Sequence, residues 1–380
     1  MKNFKVTKVL IVIVIILGGL YLICPEYLRN TLVYQFANID DQKIFDNRTV
    51  IASTYDPWEE LPGFHERDVP MKYQAVFEEF KTVAFLVIQN KRIIFEKYWD
   101  GYSADSRSNS FSMAKSIVSL LVGIAIDQGS IKSVDQPISE FIPRFSDGDK
   151  SKITIRHLLE MSSGLSWEDS YANPFSVTAK AYYGKDLSEL VLNQDAEKEP
   201  GRSFENKNCN TQLLAMILEK ATGMSISAFT SKKLWQPMGA KQDALWSLDE
   251  VNGMEKAFCC FNSNARDFAR FGQLILNHGA WNEKQLISGD YLAEALTPVS
   301  HLKDVHDEAV GYYGWNWWIH RHNGQIVYSM RGYKGQYVFV IPDKNMVIVR
   351  LGKKASKTKI DNVLPSDVIS WLNAGIEIAD

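Results

Sequence analysis

Apolar and polar positions change their rhythm twice along the chain. In "VAFLVIQNKRIIFEKYW", Val83 to Trp99, two β-branched and aromatic runs flank a polar "QNKR", which predicts a hairpin. "FSMAKSIVSLLVGIAIDQG" follows, and almost every position from Met113 to Ile126 is apolar or small. That predicts a helix from Ser112, buried nearly all round. From about 135 to 290 the spacing is mainly helical. "NTQLLAMILEKATG" ends in a glycine stop, and "NARDFARFGQLILNHG" has both an N-cap and a C-cap signal. Strand patterns then return in "YGWNWWIHR", "GQIVYSMRG" and "QYVFVIPDKNMVIVRLG", punctuated by "HNGQ" and "PDKN", and a last helix is predicted near "DVISWLNAGI". Strands at both ends and helices between them predict an α+β fold. One antiparallel sheet built from both chain ends is flanked by helices, with a mainly helical lobe inserted at about 135–290. A cleft between sheet and lobe is the expected site.

The first stretch follows neither rhythm. "MKNFKVTKVLIVIVIILGGLYLIC" places three lysines before an apolar run from Val9 to Cys24. This reads as a membrane anchor over 1–24, with its lysines cytoplasmic. No A-x-A-like site follows, which favours an anchor over a cleaved signal, and the bulky Ile23 before Cys24 argues against lipidation. The expectation is a single pass through a bacterial inner membrane, with the catalytic domain outside the cytoplasm. Residues 25–70, with "YDPWEELPGFHERDVP", read as a juxtamembrane linker along the domain surface, and 71–380 as the domain itself.

Composition alters this picture little. A net charge of -3 with scattered Lys and Arg gives no reason to expect nucleic acid as a partner. Beyond the anchor lie Cys209 and the adjacent Cys259 and Cys260. A bridge from Cys209 to that pair is open, but free thiols are the expectation. His320 and His322 alternate on a predicted strand with no Cys or carboxylate cluster beside them, so they read as solvent-facing rather than as metal ligands. No metal and no cofactor is expected.

The candidate chemistry lies in the buried helix. Of three S-x-x-K spacings, Ser300/Lys303 and Ser356/Lys359 sit in polar surroundings and read as solvated surface. Ser112/Lys115 heads a helix on which Ser112, Lys115, Ser116, Ser119 and Gly123 form one narrow stripe. A stripe of that kind on a buried helix must face a cleft or a set of polar partners. A serine at a helix N-terminus meets free N–H groups that favour negative charge. Lys115, one turn on, can reach its hydroxyl, and burial lowers a lysine pKa. The competing reading is a serine N-cap and a lysine paired with a carboxylate. There is no G-x-S-x-G elbow and no H-E-x-x-H.

"SFSMAKS", "TIRHLLEMSSGLSWED", "EPGRSFENKNCNTQLLAMILEKATG" and "RGYKGQYVFVIPDKNMVIV" occur in that order over roughly residues 80–375. Together they resemble the serine hydrolases of the class C β-lactamase and penicillin-binding-protein superfamily, nearest to the branch of 6-aminohexanoate-dimer hydrolases and esterases. The resemblance implies a β-lactamase/transpeptidase-like fold, Ser112 as nucleophile and Lys115 as its base or base partner. It implies that Met330-Arg331-Gly332 is the third motif, with Gly332 letting the backbone approach the substrate. The N–H groups of Ser112 and Tyr333 would then form the oxyanion hole. The second motif departs from the pattern, because Asn206 stands where a tyrosine is expected, with Asn208 two residues on. An asparagine amide cannot shuttle a proton. Tyr171 matches a tyrosine of the amide-hydrolase branch near the substrate, and Tyr182 and Tyr183 are further candidates.

The expected activity is hydrolysis of an ester or amide, a β-lactam or short oligomer included, through an acyl-enzyme on Ser112. The alternative is a β-lactam or peptidoglycan sensor of the same fold without turnover. A purely structural envelope protein would not need the polar stripe.

Overall fold

The computed structural model describes residues 10, 18, 19, 21, 23–34, 37–170 and 173–380. Among them the largest sheet has seven strands: β1 (Glu59–Glu60), β2 (Thr82–Gln89), β3 (Arg92–Tyr98), β4 (Trp318–His322), β5 (Gln325–Gly332), β6 (Gln336–Ile341) and β7 (Met346–Gly352). Their order is β4-β5-β6-β7-β2-β3-β1. The two chain ends join where β7 runs antiparallel to β2, from Met346 opposite Gln89 to Arg350 opposite Phe85. Only the short β1 breaks the antiparallel pattern, pairing parallel with β3. Left-handed residues close the tight turns. Asn90 (φ 51°) and Lys91 (φ 64°) link β2 to β3, and Asn323 (φ 49°) with Gly324 (φ 82°) links β4 to β5. Two successive positive φ values match the right-handed twist of a hairpin.

Helices cover both faces of this sheet. On one side lie α1 (Met71–Glu79) and α5 (Asp367–Ala379), where Phe77 and Trp371 pack with Phe85, Phe339 and Ile348. On the other lie α2 (Met113–Asp127) and α4 (Ala265–Leu276), with Phe268 and Ile117 in one cluster with Leu86, Val338 and Val347. With both faces covered, β2, β6 and β7 are nearly continuous apolar runs rather than alternating ones.

The inserted segment carries α3 (Asn208–Thr222) and several shorter helices. It also holds the strands Ala244–Ser247 and Phe261–Ser263, which form a second sheet with Asn47–Val50 and Ser108–Asn109. The segment read as a linker thus supplies strand pairs, and its Ile39, Val50 and Phe64 are buried. The expectation of free thiols needs correction. Cys259 and Cys260 form a disulfide with each other, while Cys209 is free and buried. Among the described residues no single helix is long and apolar enough to cross a membrane, and most of the proposed anchor, 1–24, lies outside them.

Candidate active site

The strand Ser108–Asn109 delivers the chain into a tight turn ahead of α2. Asn109 Oδ1 accepts from Phe111 N (2.8 Å) and from Cys260 N (3.1 Å). Phe111 is held at φ 44°, an uncommon conformation for an aromatic residue. Its ring lies between Tyr182 and Tyr333, with centroids 6.5 and 5.4 Å away. Ser112 comes next, half-buried, at the head of α2. Its hydroxyl caps no helix N–H, so the N-cap reading fails and the oxygen is left for other work.

The rest of the polar stripe divides its labour. Ser116 and Ser119 donate to the carbonyls of Asn316 (2.7 Å) and Trp315 (2.8 Å), fixing α2 against that loop. Gly123 gives room to Tyr291, whose ring a Cβ would meet at 2.5 Å. Lys115 is buried, and among the described residues no carboxylate forms an ion pair with it. Its Nζ donates to Asn206 Oδ1 at 2.8 Å. Burial pushes its pKa below the ordinary lysine value, against the opposing pull of Asp169. Asp169 is held by Thr178 Oγ1 (2.7 Å), Trp167 Nε1 (3.0 Å) and the Asn208 backbone N–H (3.2 Å). Asn208 therefore begins α3 and braces the carboxylate that faces Lys115.

Opposite this wall runs the end of β5. A Cβ on Gly332 would stand 2.2 Å from Ser110 O and 3.3 Å from Phe111 Cβ. The glycine thus admits the chain's own nucleophile turn, and it also lines the cavity. A cavity of about 620 Å³ lies between the walls. Ser112, Lys115, Asn206 and Asn208 line one side of it, and Arg331, Gly332 and Tyr333 the other. Tyr171 lies outside the described residues.

Other expectations change. Tyr182 and Tyr183 do not line the cavity, because both are packed into the core behind the turn. Tyr182 donates to Asp41 Oδ2 at 2.7 Å. His322 is buried and His320 half-buried on β4, so the solvent-facing expectation needs correction. His322 Nε2 meets Asn373 Oδ1 at 2.8 Å. His320 Nδ1 accepts from Arg331 at 3.1 Å, and burial beside that guanidinium lowers its pKa to about 3. Ser356 and Lys359, read as solvated surface, also border the cavity, Lys359 remaining exposed. Residues missed from sequence are Asp169, Tyr313, Asn316 and Trp318, which also line it. Asp169 stood inside a quoted motif, but its partners come from distant turns of the chain.

A seven-stranded sheet covered by helices, with a cleft between its edge and a buried helix, is the architecture of the β-lactamase-fold serine hydrolases. The chain belongs to the beta-lactamase family, whose model matches residues 74–366. It is 27% identical over 291 residues to the 6-aminohexanoate-dimer hydrolase of Paenarthrobacter ureafaciens, covering 72% of this chain and 73% of that one. A Bacillus anthracis structure provisionally named a 6-aminohexanoate-dimer hydrolase superposes with a TM-score of 0.72 at 21% identity, over 93% and 95% of the two chains. A family VIII carboxylesterase superposes with a TM-score of 0.63 at 15% identity, over 85% and 99%. At these identities the two structures share the fold.

Proposed function

We propose that this protein hydrolyses an ester or amide through an acyl-enzyme on Ser112. The observation that carries the reading is Lys115, buried without a carboxylate partner and one turn from a serine whose hydroxyl caps nothing. In its neutral form the lysine donates one N–H to Asn206 Oδ1 and keeps its lone pair for the Ser112 proton. Ser112 Oγ then bonds to the substrate carbonyl carbon. The oxyanion is stabilised by the backbone N–H groups of Ser112 and Tyr333, each such donor being worth about 10²–10³ in rate. The bond to the leaving group breaks, and Lys115 returns its proton to that group. Water repeats the sequence in reverse, with Lys115 taking its proton, and frees the acid and Ser112.

Asn206 also supports the alternative, a binding protein that is acylated and does not turn over. It can hold Lys115 but cannot carry a proton to a leaving group. Excess activated ester separates the two. Continuous product release supports the hydrolase, and a burst of one equivalent supports the sensor. We further propose that residues 1–24 anchor the domain on the outer side of a bacterial inner membrane, from the lysine-flanked apolar run. Protease added to intact spheroplasts should then remove the domain, and full protection in sealed membranes would contradict it.

A further inference from the structure

The cavity carries much more positive charge than the chemistry at Ser112 needs. Arg331, Lys334, Lys354, Lys357 and Lys359 line its far half, and among the described residues none of the five forms an ion pair, although Asp367 and Asp41 act on Arg331 and Lys334 from farther away. Lys353 stands among them but is paired with Asp100. Asp169 is the one carboxylate among the described lining residues, and it sits near Lys115 at the other end. The chain as a whole has a net charge of -3, so this is a local accumulation.

Arg331 is the deepest of these cations, 8% exposed. Its Nε donates to Ser329 Oγ (3.0 Å) and its Nη2 to His320 Nδ1 (3.1 Å), and its guanidinium lies 4.8 Å from the Trp318 ring. Its Nη1 has no hydrogen-bond partner among the described residues. A guanidinium buried with one N–H group unpaired and its nearest counter-charge, Asp367, beyond ion-pair distance is costly, and an incoming anion offsets that cost. Above it, the segment after β7 arches over the cavity mouth with Lys354, Lys357 and Lys359 exposed.

We propose that the far half of the cavity is a polyanion subsite. The substrate would carry two or more phosphate or carboxylate charges on the part that passes the end of β5 and lies beneath segment 353–359. One carboxylate would neutralise one of five cations, so the count favours a multiply charged group. Arg331 would hold the innermost charge and the lysines those nearer the mouth. The proposal deepens the hydrolase reading and rests on it for the meaning of "substrate", but the subsite can be tested without turnover.

Ser112→Ala protein is titrated calorimetrically with tripolyphosphate, tricarballylate and neutral butyramide. At least one of the two polyanions should bind and butyramide should not, and the tighter of the two identifies the charged group. Affinity should fall about tenfold between low and high salt, because exposed charges are screened. It should fall by about as much again when Lys354→Gln, Lys357→Gln and Lys359→Gln are combined. These side chains are exposed, so the triple variant should keep its thermal midpoint. In the wild-type protein the same polyanion should raise KM for a neutral ester and leave kcat unchanged. Binding of neither polyanion, equal affinity in the triple variant, or inhibition that lowers kcat alone would overturn the subsite. Absence of any Ser112-dependent ester turnover would overturn the hydrolase reading instead, and the calorimetric result would still decide the subsite.

Discussion

A lysine enclosed at the base of a helix with only an amide to hold it gives up its proton more readily than one in water. For Lys115 the sign is clear. Its pKa is lowered, so the neutral base appears as pH rises, and at a lower pH than for an ordinary lysine. Ester kcat/KM should therefore rise with pH to a plateau reached below the usual lysine range. Lys115→Arg should lose about 10³-fold or more in activity, since guanidinium keeps its proton. An active arginine variant would show that the residue supplies charge alone. Asn206 leads to a second prediction. A proton carrier placed there is typically worth about 10²–10⁴-fold. Asn206→Tyr should accordingly raise turnover, most on poor leaving groups. Unchanged turnover in that variant, with a hundredfold loss in Tyr171→Phe or Tyr313→Phe, would move the proton route to the other tyrosine. The sequence marked Ser112, Lys115 and Asn206 because helix spacing and motif order put them in register. It was silent on Asp169's role because that depends on Trp167, Thr178 and Asn208 meeting around one carboxylate.

Strand β5 and the turn before α2 must touch for the two walls of the cleft to form. Gly332 is the point of contact. A Gly332→Ala methyl would need the strand end or the Ser110 carbonyl to move, since 2.2 Å leaves no room. Overpacking of this kind costs about 1–3 kcal/mol. The variant should unfold at lower urea and lose kcat more than it gains KM, because the displaced turn carries Ser112. Wild-type kcat in Gly332→Ala would show that the contact does not position the nucleophile. The main sheet was legible from sequence because its strands are long and their turns carry Asn and Gly at the right places. The second sheet was not. Its strands, such as Phe261–Ser263 and Ser108–Asn109, are too short to show an alternating period, and Asn47–Val50 lies in a stretch whose prolines read as linker.

One buried charge bears on the molecule as a whole. Lys256 is fully buried, donates to Tyr182 O at 2.7 Å and lies 3.3 Å from the Phe45 ring centroid. Burial lowers its pKa to about 7 from an ordinary 10.5. Between those two values the unfolded chain holds the extra proton, so stability rises with pH across that window. Below about pH 7 the folded state binds the proton too, and the gain is absent. The wild-type melting temperature should climb by roughly several degrees between pH 7 and 10 relative to Lys256→Met, which lacks the titrating group. Parallel pH profiles for the two proteins would refute this. The central claim, that this fold uses Ser112 as a covalent nucleophile, is tested most directly by intact-mass measurement after exposure to a fluorophosphonate probe. The wild-type protein should gain the mass of one phosphonyl adduct, localised to Ser112, and Ser112→Ala should gain none. Equal labelling of the two proteins would contradict the account.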